Sequence, residues 1–179
     1  MIILISGSTH SGKTYLSQKL LEELKIPYLS IDHLKMGLIR SKNTTLTPND
    51  DLELTNYLWP IIREIIKTNI ENKQNIIIEG CYIPCDFLND FSDEYKNEIN
   101  HIYLIYTKEY IDKYFSIIKK YANIVENRLD DSDLSKDILI KENINLLKEC
   151  KERKLNFILI NDDFKKTMEH IIGDFKCKY

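Results

Sequence analysis

The opening fourteen residues restrict the fold more than any other stretch. Met1-Ile2-Ile3-Leu4-Ile5 is a short apolar run rich in β-branched residues, and Gly7-Ser8-Thr9-His10-Ser11-Gly12-Lys13-Thr14 follows it at once. That octet fits the pattern G-x-x-x-x-G-K-[ST]. Leu16, Leu20, Leu21 and Leu24 then recur at helical spacing. A strand, a glycine-bearing turn and a helix are therefore expected in direct succession. In that arrangement the N–H groups of Gly7, Ser8, Thr9, His10, Ser11 and Gly12 and the positive end of the helix converge on an anion. Gly7 and Gly12 let the backbone adopt conformations a side chain would forbid. Lys13 can reach the outer phosphates of a nucleotide triphosphate, and the Thr14 hydroxyl can ligate Mg²⁺. A nucleotide triphosphate with Mg²⁺ is the expected ligand.

A chain of 179 residues suits one domain with a full core, so residues 1–179 are expected to form a single unit. Apolar residues make up 43% and charged residues 30%, as in globular proteins. The formal net charge is −3, with only four arginines (Arg40, Arg63, Arg128 and Arg153), which disfavours nucleic acid as a partner. No run reaches the roughly 20 apolar residues of a membrane helix. The first residues lack a basic leader and read as a strand, so a cytoplasmic protein with reduced thiols at Cys81, Cys85, Cys150 and Cys177 is expected. Cys81 and Cys85 stand alone as C-x-x-x-C, with no second pair to complete a zinc set.

Downstream, apolar strand-like runs alternate with helical patterns, the signature of βαβ units. Strands are expected at Tyr28-Leu29-Ser30-Ile31, ending at Asp32; at Asn75-Ile76-Ile77-Ile78, ending at Glu79-Gly80; at 101–106; and at 156–160. His33 to Arg40 reads as a short helix and 41–50 as a loop. Leu54, Leu58, Ile61, Ile62, Ile65 and Ile66 mark a helix that Pro60 should kink or split. Thr107 can cap the helix after the fourth strand. That helix runs toward Arg128 and the acidic stretch Asp130, Asp131 and Asp133. A helix over 135–151, with Ile140, Ile144 and Leu147 inward, and a last helix over 163–175 complete the chain. Five strands ending in polar residues or turns fit a doubly wound parallel sheet, whose ligands gather beyond the carboxyl ends of the strands. The phosphate loop, Asp32, Glu79, Thr107 and Asn161 should share that rim.

Glu79, at a strand end, can hold the Mg²⁺ shell with Thr14 or orient an attacking group. Asp32 can take a proton from an acceptor hydroxyl, or cap the helix behind it. Arg40, two turns on, suits an acidic group on an acceptor, and Tyr82 borders Glu79-Gly80. Arg128 can close over the transferring phosphoryl group as part of a lid around 119–135, where Lys119 and Lys120 add charge.

These features resemble the P-loop small-molecule kinases, among them the adenylate, shikimate and gluconate kinases and the zeta-toxin sugar-nucleotide kinases. Gly7 to Thr14 matches their Walker A motif, and Ile76-Ile77-Ile78-Glu79-Gly80 the apolar strand with a terminal acid. Glu79-Gly80-Cys81-Tyr82-Ile83-Pro84 is similar to the Asp-Gly-Phe-Pro of adenylate kinases, with Glu for Asp and an insertion before the proline. Asp32 matches the second-strand acid of hydroxyl-directed kinases. Asp32-His33-Leu34-Lys35-Met36-Gly37-Leu38 resembles bacterial proteins described as 2-phosphoglycerate-kinase-like or adenylate-kinase-like. The resemblance implies a three-layer α/β fold with a five-stranded parallel sheet ordered 2-3-1-4-5, helices on both faces and a lid after the fourth strand. It also implies transfer of the ATP γ-phosphoryl group to a small acceptor, with Lys13, Asp32, Glu79 and Arg128 catalytic.

Two other classes remain open at the level of sequence. One is a nucleotide-dependent ATPase or switch. A guanine-reading N-K-x-D element is absent after the fourth strand, and Asn72-Lys73-Gln74-Asn75 lacks the Asp and precedes the third. The other is 5′-end phosphorylation of nucleic acid, which needs a basic track that the charge balance does not provide.

Overall fold

Strand β1 (Ile2–Gly7) is buried at all six positions and runs through the middle of a five-stranded parallel sheet of order β2-β3-β1-β4-β5. Its neighbours are β3 (Ile76–Glu79) and β4 (Ile99–Tyr106), with β2 (Tyr28–Ser30) and β5 (Phe157–Ile160) at the edges. The helices are α1 (Lys13–Leu24), α2 (Ile31–Arg40), α3 (Asp51–Glu71), α4 (Asp93–Lys96), α5 (Lys108–Val125), α6 (Lys136–Glu152) and α7 (Phe164–Lys178). The computed structural model describes residues 1–125 and 134–178, with side chains through 120 and from 134 to 178. Arg128 and the acidic stretch Asp130, Asp131 and Asp133 lie outside the described residues, as does most of the expected lid around 119–135.

The unbroken apolar run of β1 is explained by its two covered faces. Successive side chains point to opposite sides of a strand. Ile2 and Leu4 accordingly join Leu54, Leu58, Ile62 and Ile66 of α3 in one core. Ile3 and Ile5 join Leu16 and Leu20 of α1 and Met168 and Ile171 of α7 in the other.

Three local expectations are corrected. The second strand stops at Ser30, and Ile31, fully buried, already begins α2, so Asp32 stands in a first helical turn rather than at a strand end. The apolar run of β2 thus passes directly into the apolar face of α2. Pro60 does not split α3, which continues through 21 residues. Pro60 lies on the exposed side, where the carbonyl it deprives of a partner can meet water. In α6 the buried positions are Leu139, Asn143 and Cys150, while Ile144 is 54% exposed. Ile140 and Leu147 pack against the core as expected, so only Ile144 is displaced, and the inward position beside it is taken by an asparagine.

Candidate active site

The strand ends gather on one rim. Ile5 pairs with Glu79 across β1 and β3, Ser30 pairs with Glu79 across β2 and β3, and Gly7 pairs with Leu104 of β4. Gly7 turns the chain out of the sheet with φ of +150°. A Cβ there would stand 2.4 Å from the Leu104 carbonyl oxygen and 2.7 Å from Ser11 Oγ, so only glycine allows this approach to β4. Gly12 caps α1 in the left-handed region at φ +89°, packed against the Phe164 ring. The first turn of α1 carries no acidic residue, which leaves its positive end to an outside anion. Lys13 is 6% exposed, and its Nζ donates to the carbonyls of Ser8 at 2.8 Å and Gly7 at 3.3 Å. The ammonium is thus held inside the curve of the loop.

Two other elements brace the loop. Ser8 Oγ donates to Asn143 Oδ1 at 2.9 Å, and the same oxygen accepts the Tyr106 backbone N–H at 2.8 Å. Asn143 Nδ2 donates to the Leu139 carbonyl, so this 2% exposed side chain is satisfied within the core. Tyr106 Oη donates to the His10 carbonyl at 2.9 Å, where His10 adopts φ +59°. His10 therefore enters the site through its backbone. Thr107 caps α5, accepting from the Tyr110 N–H at 3.1 Å as expected.

Beside the loop, Thr14 Oγ1 donates to Glu79 Oε1 at 3.3 Å, and Glu79 is 1% exposed. A hydroxyl and a carboxylate are hard oxygen donors. Mg²⁺ takes one or two such protein ligands when phosphates and water supply the rest, so this pair fits that ion.

On the β2 side a compact polar cluster forms. Lys35 Nζ lies 2.7 Å from Asp32 Oδ1, donates to Tyr82 Oη at 2.9 Å, and sits 5.0 Å from the centre of the Tyr82 ring. Tyr82 Oη in turn donates to Asp51 Oδ1 at 3.2 Å. Burial, reinforced by Cys81, Asp32 and Asp51, holds the Tyr82 phenol well above its usual range, so it remains a neutral donor. Cys81 is solvent-accessible, yet the surrounding protein pushes its thiol up to about 11, with Asp32 adding to the rise and Lys13 opposing it. Cys81 thus responds to charges from both the loop and the cluster. Arg40 lies in the last turn of α2, exposed, and the cation set against Asp32 is Lys35 instead.

Helix α6 contributes a further carboxylate. Crowding by protein raises the pKa of Glu142, with Lys13 opposing and Asp51 adding to the shift. Sequence reasoning passed over Lys35, Asp51, Glu142 and Asn143. Lys35 had a signal, since a position three after Asp32 shares its helix face. Asn143 had one too, as a polar residue four after Leu139 in an apolar stripe.

No protein-family model matches the chain, and no curated protein matches it. Solved structures do. The deoxyadenosine kinase of M. mycoides, with dCMP and dCDP bound, superposes with a TM-score of 0.60 at 17% identity, covering 99% of this chain and 100% of that one. The shikimate kinase of Acinetobacter baumannii, in complex with shikimate, gives 0.59 at 13% identity over 99% and 93%. That of Bacteroides thetaiotaomicron gives 0.57 at 14% identity over 98% of each chain. At such identities the likeness establishes the fold: this chain has the three-layer architecture of the P-loop kinases, with its sheet in the order 2-3-1-4-5.

Proposed function

We propose that this protein is an ATP-dependent kinase that passes the γ-phosphoryl group to a hydroxyl of a small molecule. One observation carries the reading: the Lys13-bearing loop, the Thr14–Glu79 pair and the Asp32–Lys35–Tyr82 cluster stand side by side at the strand ends. The similarity to kinases of shikimate and deoxyadenosine supports it.

In this reading the amides of residues 7–14 and the Lys13 ammonium bind the polyphosphate and neutralise its charge. Thr14 and Glu79 would hold Mg²⁺, which would supply positive charge to polarise the phosphate oxygens and stabilise the ADP leaving group. Asp32 accepts the proton of the acceptor hydroxyl as its oxygen bonds to the γ-phosphorus and the bond to the β-phosphate oxygen breaks, releasing ADP. Lys35 fixes the Asp32 carboxylate and, with Tyr82, borders the acceptor. Arg40 is assigned to an acidic group on a longer acceptor. Arg128 is assigned, on its place in the sequence, to close over the transferring group.

The test is a screen of purified protein with ATP and Mg²⁺ against sugars, polyols, nucleosides and hydroxy acids, with products read by mass. A product 80 Da heavier than one acceptor, formed by the wild type and lost in Lys13→Ala, is expected. ATP bound tightly but transferred to none of them would return the chain to the class of nucleotide-binding modules.

A further inference from the structure

Two serines in the layer beneath the Thr14–Glu79 bond have uncommitted hydroxyls. Ser17, in α1, is fully buried, and Ser30, at the end of β2, is 2% exposed. Each stands where a serine usually bonds nearby backbone. A helical serine can turn back to the carbonyl one turn earlier, and a serine just before a helix can cap it. Ser30 occupies the N-cap position of α2 but makes no capping bond, and neither Oγ has a hydrogen-bond partner among the described residues. Buried hydroxyls are rarely left so, because folding has stripped each of its water.

Both serines lie on the Glu79 side of the sheet. Tyr28 and Ile77 face the core that α1 covers, while Leu29 and Ile78 face the other. Alternation therefore turns Ser30 and Glu79 toward α1. The two are register partners across β2 and β3, so their side chains project side by side. From the helix, Thr14 Oγ1 donates to Glu79 at 3.3 Å, and one turn further Gln18 Nε2 donates to the Tyr28 hydroxyl at 3.3 Å. Ser17 lies between these two contacts in the sequence and shares the buried side of α1 with Leu16 and Leu20. Oxygen-bearing side chains from α1, β2 and β3 thus converge behind the Thr14–Glu79 pair. A buried water makes about three hydrogen bonds, and Ser17, Ser30 and Glu79 together offer that many.

We propose that Ser17 and Ser30 are positioning residues for Glu79: with its carboxylate they hold one buried water, which keeps the carboxylate turned toward Thr14. The proposal rests on the reading of Thr14 and Glu79 as the Mg²⁺ ligands and extends it one layer inward. A metal-binding carboxylate is oriented by the groups that hydrogen-bond to it from behind. Hydroxyls suit that place, since each can donate or accept as the water requires and adds no charge to the core. Their delivery from two different elements also matters. Ser17 comes with the helix that carries Lys13 and Thr14, and Ser30 with the strand that leads into Asp32. The water therefore ties the orientation of Glu79 to both the phosphate side and the acceptor side of the site.

The test is calorimetric ATP affinity, measured with Mg²⁺ and with EDTA, for the wild type, Ser17→Ala, Ser30→Ala and the double variant. The ratio of the two affinities reads what the metal contributes. It should fall about tenfold in either single variant, with the EDTA affinity unchanged, a split that a serine needed only for packing would not produce. Because the two hydroxyls hold one water, the double variant should lose no more than either single one. A crystal structure of the metal-free wild type should show that water within hydrogen-bond distance of both hydroxyls and the Glu79 carboxylate. Ratios equal in all four proteins, losses that multiply in the double variant, or a wild-type crystal with no such water would overturn the inference and leave the metal reading standing. A wild-type ratio of one would overturn the reading of Thr14 and Glu79 as metal ligands, and the inference with it.

Discussion

Thr14 and Glu79 are 65 residues apart in the chain and 3.3 Å apart in space, joined by a hydrogen bond from hydroxyl to carboxylate. The bond ties the last residue of the phosphate loop to the last residue of β3. It follows from register: β1 and β3 are neighbours, and Ile5 pairs with Glu79. The loop that leaves β1 therefore returns its α1 start directly above the end of β3. A deeply buried carboxylate and a hydroxyl are thus oriented on each other before any ligand arrives.

Glu79→Gln preserves the volume and the bond partner but removes the charge. Turnover should fall by about two orders of magnitude or more, as for loss of a group that organises transition-state charge. The Mg²⁺ concentration for half-maximal rate should rise, while ATP binding without metal changes little. Steady-state rates over a Mg²⁺ series check this. A variant with unaltered metal dependence would move Glu79 out of the metal shell.

Asp32→Asn addresses the proton. If Asp32 takes the acceptor hydroxyl proton, turnover should drop about 10²- to 10⁴-fold, with the ATP dissociation constant unchanged. Lys35→Met, which leaves the carboxylate but removes the ammonium 2.7 Å from it, should give a smaller loss. Rates and equilibrium ATP binding measured on both variants separate the roles. Equal losses of rate and ATP affinity in Asp32→Asn would place that residue on the nucleotide.

The loop, the alternation of strands and helices and the terminal acid of β3 were all legible in the sequence, because each is local. Glycine positions, strand length and helical spacing are set by neighbours along the chain. The cap at Thr107 was legible for the same reason. What escaped was long-range. Lys35, Tyr82 and Asp51 come from three separate segments, and only the packing of α2 and α3 beside β3 brings them together. Asp32 was misplaced by two residues because the apolar run of β2 passes into the buried face of α2 at Ile31 without a polar break. Asn143 was overlooked because an inward asparagine is unremarkable until Ser8 and Tyr106 are seen on either side of it.

Cys81 offers a probe of the cleft's electrostatics. Its thiol is pushed up to about 11, so the reactive thiolate is only about 1% of the population at pH 9. Iodoacetamide at pH 8 should therefore label exposed Cys177 well before Cys81, although both are accessible. Raising the pH toward 11 should speed Cys81 labelling. Substituting Lys13 by Met, which removes the cation that favours the thiolate, should slow it further. Peptide mass spectrometry over time checks each step. Faster labelling of Cys81 than of Cys177 at pH 8 would contradict the crowding and the Asp32 charge assigned to this position.

Asn143 ties three elements through one side chain, and its removal should be felt as stability first. Asn143→Leu keeps the number and branching of the side-chain heavy atoms but leaves Ser8 Oγ and the Tyr106 N–H without their acceptor in the core. The cost should be about 2–3 kcal/mol, the penalty for stranding buried donors. Ser8→Ala removes only one donor and should cost about 1 kcal/mol. In the double variant the Ser8→Ala change should become nearly neutral or favourable, because the stranded hydroxyl is then gone. The resulting coupling of about 1 kcal/mol or more identifies a direct interaction. Denaturant unfolding of the four proteins measures it. Strict additivity would mean that α6 does not hold the loop through Ser8, and the loop's position would then depend on β4 and the Gly7 turn alone.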